Sequence, residues 1–133
     1  MAVDGMAISL SGLLAASQRV AVSANNIANQ QSLASEGVDG GLENTPYVPQ
    51  DVVQLSAEAG GVTTQVQGRN PASVQSYRPD SPLADEGGLV NAPNVDPTVE
   101  LVNQQIAVYD FKANLKALKV QDEMQREVLN IIT

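Results

Sequence analysis

At both ends of this chain apolar residues recur every three or four positions, and in the middle they do not. That contrast limits the fold more than any single motif. In the first flank Met6, Leu10, Leu13, Ser17, Val20, Ala24 and Ile27 are spaced alternately four and three apart, the period of a helical seam. In the last flank Val99, Val102, Ile106, Tyr109, Ala113, Ala117, Val120, Met124 and Val128 keep the same rhythm. A second row at Leu101, Val108 and Leu115 repeats every seven, and Phe111 and Leu118 widen it. Asp96-Pro97 supplies an N-cap acid and then a proline at the first helical position, where its missing N–H costs nothing.

Breakers concentrate between the flanks. Eight of the ten glycines and six of the seven prolines lie between Glu36 and Asn94, which divides the chain into 1–35, 36–94 and 95–133. Within the middle, Asp51–Ser56 and Val62–Gln67 alternate as strands do and are joined through Gly60-Gly61, which predicts a hairpin. Ser73–Arg78 predicts a third short strand, whereas Glu36–Thr45 and Pro79–Pro93 are expected to be loop. The fold class expected is therefore mainly α: long N- and C-terminal helices forming a coiled-coil-like hairpin, with a small β-containing, turn-rich insert.

Composition removes most chemistry. With no Cys and no His, the chain lacks thiolate and imidazole nucleophiles, the usual zinc ligand sets and any disulfide. Seven basic against fifteen acidic residues leave a net charge of −8, which argues against a nucleic-acid partner. The middle segment carries −6 of that charge, so the flanks are close to neutral. Asp80, Asp85 and Glu86 have neither an aromatic cleft nor the spacing of a calcium loop around them, and turn formation is the expected role. Neither an enzyme, a cofactor nor a small-molecule substrate is expected. No uninterrupted apolar run reaches a membrane span, and Met1–Gly5 carries an acid where a secretory signal carries bases.

The flanks cannot be satisfied by each other alone. At 1.5 Å per residue, helices of roughly 25 and 35 residues would be about 38 and 52 Å long, against a radius of gyration of roughly 14 Å for a compact domain of this length. Two such helices leave their outer apolar rows wet, and the insert offers little beyond Val52, Val53, Leu55, Val62, Val66 and Tyr77 to cover them. Other chains must supply the cover, and a head-to-tail contact that does not close gives a tube or filament. Asn25 and Asn29 share one helical face. Their amides either fray a helix end or fix register against neighbouring helices.

Specific blocks then become familiar. Ser23-Ala24-Asn25-Asn26-Ile27-Ala28-Asn29, preceded by Leu13–Val20, resembles the N-terminal motif of the bacterial flagellar axial proteins. Pro82-Leu83-Ala84-Asp85, Pro93-Asn94-Val95-Asp96, Glu100-Leu101-Val102-Asn103 and Phe111-Lys112-Ala113-Asn114 narrow the resemblance to the flagellar basal-body rod family and its short proximal-rod members. The resemblance implies a structural subunit of the periplasm-spanning proximal rod, exported by the flagellar type III apparatus without a cleaved signal and carrying torque through packed terminal helices. The partners it implies are further copies, other rod proteins, and export-gate and ring components of the basal body.

Rows and resemblance together give the expected assembly residues. They are Leu10, Leu13, Leu14, Val20, Asn25, Asn26, Ile27 and Asn29 on the first helix, and Val99, Val102, Ile106, Tyr109, Phe111, Ala113, Asn114, Val120 and Met124 on the second. Two alternatives stay open: another axial role at the distal rod or hook junction, and a soluble coiled-coil adaptor or chaperone for exported subunits. An adaptor should have formed helices in dilute solution, whereas a rod subunit should have protease-sensitive ends until it polymerises.

Overall fold

A computed structural model of the chain describes residues 2–34 and 46–132. Its elements run α1 (Ala2–Asn29), β1 (Gln50–Ser56), β2 (Val62–Gly68), β3 (Ser73–Tyr77), β4 (Leu89–Pro93) and α2 (Pro97–Ile132). The molecule is mainly α, with two antiparallel two-stranded sheets between the helices. The loop expected over Glu36–Thr45 lies outside the described residues.

Both helices end where local chemistry requires. The Asp96 carboxylate accepts the backbone N–H of Thr98 at 2.8 Å and of Val99 at 3.4 Å, so α2 opens with Pro97 in its first turn as expected. At the end of α1 the Asn29 amide donates to the carbonyl of Asn25 at 2.9 Å, satisfying a carbonyl of the last turn. At 28 and 36 residues the helices are about 42 and 54 Å long.

The helices run antiparallel, and the face they share differs from the apolar rows. Arg19 pairs with Asp110 at 2.6 Å, Ser23 with Glu100 at 2.7 Å, and Gln125 donates to the Met6 sulfur at 3.3 Å. Gly12 lies against Asn114 and Gly5 against Gln121. The α1 seam thus follows Gly5, Ser9, Gly12, Ala16, Arg19, Ser23 and Asn26, one residue before the row at Met6, Leu10, Leu13 and Val20. On α2 it follows Glu100, Ala107, Asp110, Asn114 and Gln121, one residue after the row at Val99, Ile106, Tyr109, Ala113 and Val120. One residue is about 100° around a helix, so the α2 row turns to the surface, while the α1 row flanks the seam, with Leu13 buried and Met6, Val20 and Ile27 half-buried. The physical reason is size: Gly, Ser and Ala let the two backbones approach closely, and a Cβ on Gly12 would stand only 2.5 Å from Asn114 Oδ1.

Length and apolar content over Gly5–Asn29 would suffice for a membrane span. Here Arg19, Ser23 and Asn26 of that stretch are engaged with α2 and the insert.

The predicted hairpin is present. β1 and β2 pair antiparallel from Gln50 opposite Gly68 to Ser56 opposite Val62, and Gly60 and Gly61 take positive φ of 87° and 85° in the turn. Gly61 rests on Ile8 and Ser11 of α1, and the Val62 N–H donates to the Ser11 hydroxyl at 3.1 Å. The sequence expectation of loop throughout Pro79–Pro93 is overturned at its end, where Leu89–Pro93 forms β4 against β3. Alternation explains it, because Val90 and Ala92 turn inward and are buried. The far edge of β4 exchanges both backbone bonds between Asn91 and Ala34, at 2.9 and 3.0 Å.

Candidate assembly interface and its buried polar node

The outward rows dominate the surface. Val99, Val102, Ile106, Val120, Met124 and Val128 are each about half exposed, and Tyr109 more so. In the second row Leu101, Phe111 and Leu115 are exposed, while Val108 and Leu118 are half-buried. On α1, Leu10 and Leu14 are exposed, while Val20 and Ile27 are half-buried. The last turn of α2 runs past the start of α1, leaving Ile131 and Ile132 at 81% and 75% exposure, and an open apolar groove at Met124, Val128 and Leu129 precedes it.

Against this, the apolar residues buried among those described are Leu13, Ala15, Ala16, Val22, Ala34, Val90, Ala92 and Ala107, with Pro49 and Pro93, and none is aromatic. The accessible surface of 9057 Å² exceeds by about a third the roughly 6,700 Å² that a compact chain of this mass would expose. Contiguous exposed apolar patches mark interaction surfaces more often than bare monomer surface. Rows continuous along a helix are what a helix-in-groove contact needs.

Where the helices meet the insert, the chemistry reverses. The Glu100 carboxylate, 2% exposed, accepts from Arg69 Nη2 at 2.8 Å, from the Asn26 amide at 3.2 Å and from the Ser23 hydroxyl at 2.7 Å. Arg69, just after β2, also grips Asp51 of β1 through Nε and Nη2 and donates to the carbonyl of Asn94 at 2.8 Å. The Asn26 side chain, fully buried, clamps Gln50 by donating to its carbonyl at 2.8 Å and accepting its N–H at 2.9 Å, while the Tyr47 hydroxyl donates to the same amide oxygen at 3.0 Å. Among the described residues no buried side-chain polar atom lacks a partner. The hydrogen bond to Asp51, joined by those to Glu100, holds the Arg69 guanidinium above its ordinary pKa despite burial. Burial and the Glu100 charge raise the Tyr47 phenol, with the Arg69 charge opposing.

The expected interface residues therefore fall into three groups. Leu10, Leu14, Val99, Val102, Ile106, Tyr109, Phe111, Ala113, Val120 and Met124 are exposed; Val20, Ile27 and Asn114 are half-buried; Leu13 and Asn26 are buried within their own chain. The Asn26 side chain is buried and its amide is filled by Gln50, Tyr47 and Glu100 of its own chain. Asn25 is exposed, and Asn29 donates to its side-chain oxygen at 3.1 Å. Asp85 is a turn residue, accepting the N–H groups of Gly87 and Leu89 at 2.8 Å each. Sequence reasoning gave Arg69 and Glu100 no contact role: Glu100 entered only within a resemblance block, and Arg69 stands inside the insert just after β2. Among the described residues no group of three or more His, Cys, Asp or Glu could hold a metal ion.

Comparison with known proteins gives a coherent picture. A family model described as the flagellar basal body rod FlgEFG protein C-terminal region matches residues 86–131. The chain is 36% identical over 127 residues to flagellar basal-body rod protein FlgC of Escherichia coli, covering 91% of this chain and 90% of the relative. Identity is 35% to FlgC of Salmonella typhimurium and 33% to FlgC of Aquifex aeolicus, with the same coverage.

Proposed function

The chain belongs to the FlgC family of flagellar basal-body rod proteins, and from that premise we propose that it is a non-enzymatic subunit of the proximal rod, assembling helically to transmit torque. The observation that supports the reading is the exposure of the apolar rows of α2, joined by Leu10 and Leu14 of α1. A soluble adaptor would gain by turning those rows inward, whereas a subunit of a tube needs them outside, where neighbours complete them. The helices then act as a coiled-coil-like hairpin whose outer faces are filled by other chains, and the insert, fixed at the root of the hairpin, covers the outside.

Its proposed partners are copies of itself, other rod proteins, and the export-gate and ring components of the basal body. Its proposed route is flagellar type III export without a cleaved signal, ending in the rod as it crosses the periplasm. The weak private core supports that route, because a chain that buries little on its own is cheap to keep unfolded for export.

The experiment is extraction of basal bodies from cells expressing an epitope-tagged copy, followed by stepwise stripping of hook and rings. The tag should stay with the stripped rod and be absent from the basal bodies of cells blocked in flagellar export. A tag that remains cytoplasmic, or that leaves with the hook, would contradict the proposal.

A further inference from the structure

Each two-stranded sheet has one strand edge that its own chain covers and one that it leaves open. β1 turns its outer edge to α1, where Asn26 takes both backbone groups of Gln50. The outer edge of β4 is closed by the exchange between Asn91 and Ala34. On β2 and β3 the situation differs. The bonds from Arg69 to the Pro49 carbonyl and from Ala57 to the Gly61 carbonyl set the alternation of the first ladder, so Thr64 and Val66 point their N–H and C=O groups away from β1. Val62, beside the turn, has its outward N–H taken by Ser11, whereas among the described residues none takes those of Thr64 and Val66. The bonds from Asn94 to the Ala72 carbonyl and from Arg78 to the Gly88 carbonyl set the second ladder likewise, with Ser73 and Tyr77 turned away from β4.

Exposed strand edges ordinarily carry a charge, a proline or a bulge that stops a further strand from pairing. Neither Val62–Gly68 nor Ser73–Tyr77 contains a charged residue or a proline, and both ladders run without a bulge. The covered strands, by contrast, hold Asp51 and Pro93. β2 is exposed from Thr63 to Gly68 and rich in Val and Thr, which suit a paired strand. We propose that β2 of one copy adds to β3 of a second copy, joining their inserts through main-chain hydrogen bonds. The edge asks for an extended, uncharged strand, and β3 is such a strand. Within one chain the two edges do not meet, because β2 and β3 belong to separate sheets. The connection 69–72 is also held in place, by Arg69 on the Asn94 carbonyl and by Asn94 on the carbonyls of Pro71 and Ala72. Each copy gives one strand and receives another, so the contact is head-to-tail and propagates, as a helical tube requires.

This deepens the rod reading and rests on it, and it needs no helix to be formed in the free subunit. Because the chain has no cysteine, cross-links between copies arise from introduced pairs. Two differently tagged copies are co-expressed, one with Thr64→Cys or Val66→Cys and the other with Ser73→Cys or Tyr77→Cys, and basal bodies are extracted after oxidation. Opposite residues of a strand pair stand about 5 Å apart, within disulfide reach. At least one of these combinations should therefore give a doubly tagged dimer that reductant dissolves, and none should form when either copy lacks its cysteine. Thr64→Pro removes an outward N–H without touching the bonds to β1, and should lower incorporation about tenfold, while Thr64→Ala incorporates normally. Amide exchange at Thr63 checks that the hairpin of the proline variant is folded; if it is not, the cross-links alone decide. Incorporated copies that give no dimer in any combination would overturn the inference and leave the rod reading standing, as would normal incorporation of a folded Thr64→Pro. Absence of the unaltered chain from the rod would overturn both.

Discussion

The root and the arms of the helix pair are held by opposite means. At the root, charged and amide groups are buried and fully partnered, and four segments distant in sequence converge on Glu100 and Arg69. Along the arms the shared face is mostly small and polar, and the large apolar residues other than Leu13 and Val22 are exposed or half-buried. On the rod reading proposed above, the exposed hydrophobic residues serve the assembly, whereas the insert is tied to the helices by directional polar contacts. A buried ion pair adds little net stability compared with an apolar packing of the same shape, but it tolerates few alternatives.

That division can be broken from either side. The largest effect on the isolated subunit should come from Arg69→Ala, which leaves the Glu100 carboxylate buried without its cation; about 3–5 kcal/mol should be lost in urea unfolding. A loss under 1 kcal/mol would mean that the root is not what holds the subunit. Next is Gly12→Val, which drives a side chain into Asn114 and should cost about 1–3 kcal/mol by overpacking if the arms are paired in solution. No change in unfolding would mean that the arms pair only in the assembly, sharpening the distinction between the regions. Asp96→Ala removes the cap of α2 and should cost about 1 kcal/mol, read in the same titration.

The smallest effect is one of pH. The Tyr47 phenol is raised above its ordinary value of 10 in the folded chain, so the folded state binds that proton more tightly than the unfolded state does. Its contribution is present in full below pH 10 and is lost as pH rises through the folded value. Tyr47→Phe should flatten that alkaline decline in a series of urea titrations; an unchanged decline would assign it to another group.

Much of the scaffold was legible. The three-and-four spacing located both helices, Asp96-Pro97 located the start of α2, and alternation around Gly60-Gly61 located the hairpin. Strand β4 was hidden because its five residues follow Gly87-Gly88 and end on Pro93, and its partner β3 precedes it across an intervening turn-rich loop. The one-residue rotation of the seams was hidden for a different reason. Periodicity reports where apolar side chains lie on a helix but not which neighbour covers them, and here that neighbour is not the other helix of the same chain. The node was hidden because Asn26, Arg69 and Glu100 meet only through tertiary folding, and each alone looks like an ordinary surface polar residue. Asn25 and Asn29 drew attention by their spacing, yet the buried amide is that of Asn26 between them.

The central claim is that the outward rows serve other chains and contribute little to this one. Its most direct test is the double substitution Val102→Asp with Ile106→Asp on the exposed face of α2, followed by two readings of the same protein. Urea unfolding of the isolated subunit should move by no more than about 0.5 kcal/mol per site, as for exposed positions generally, while incorporation into extracted basal bodies should be lost. Retained incorporation, or unfolding of the free subunit by several kcal/mol, would contradict the account.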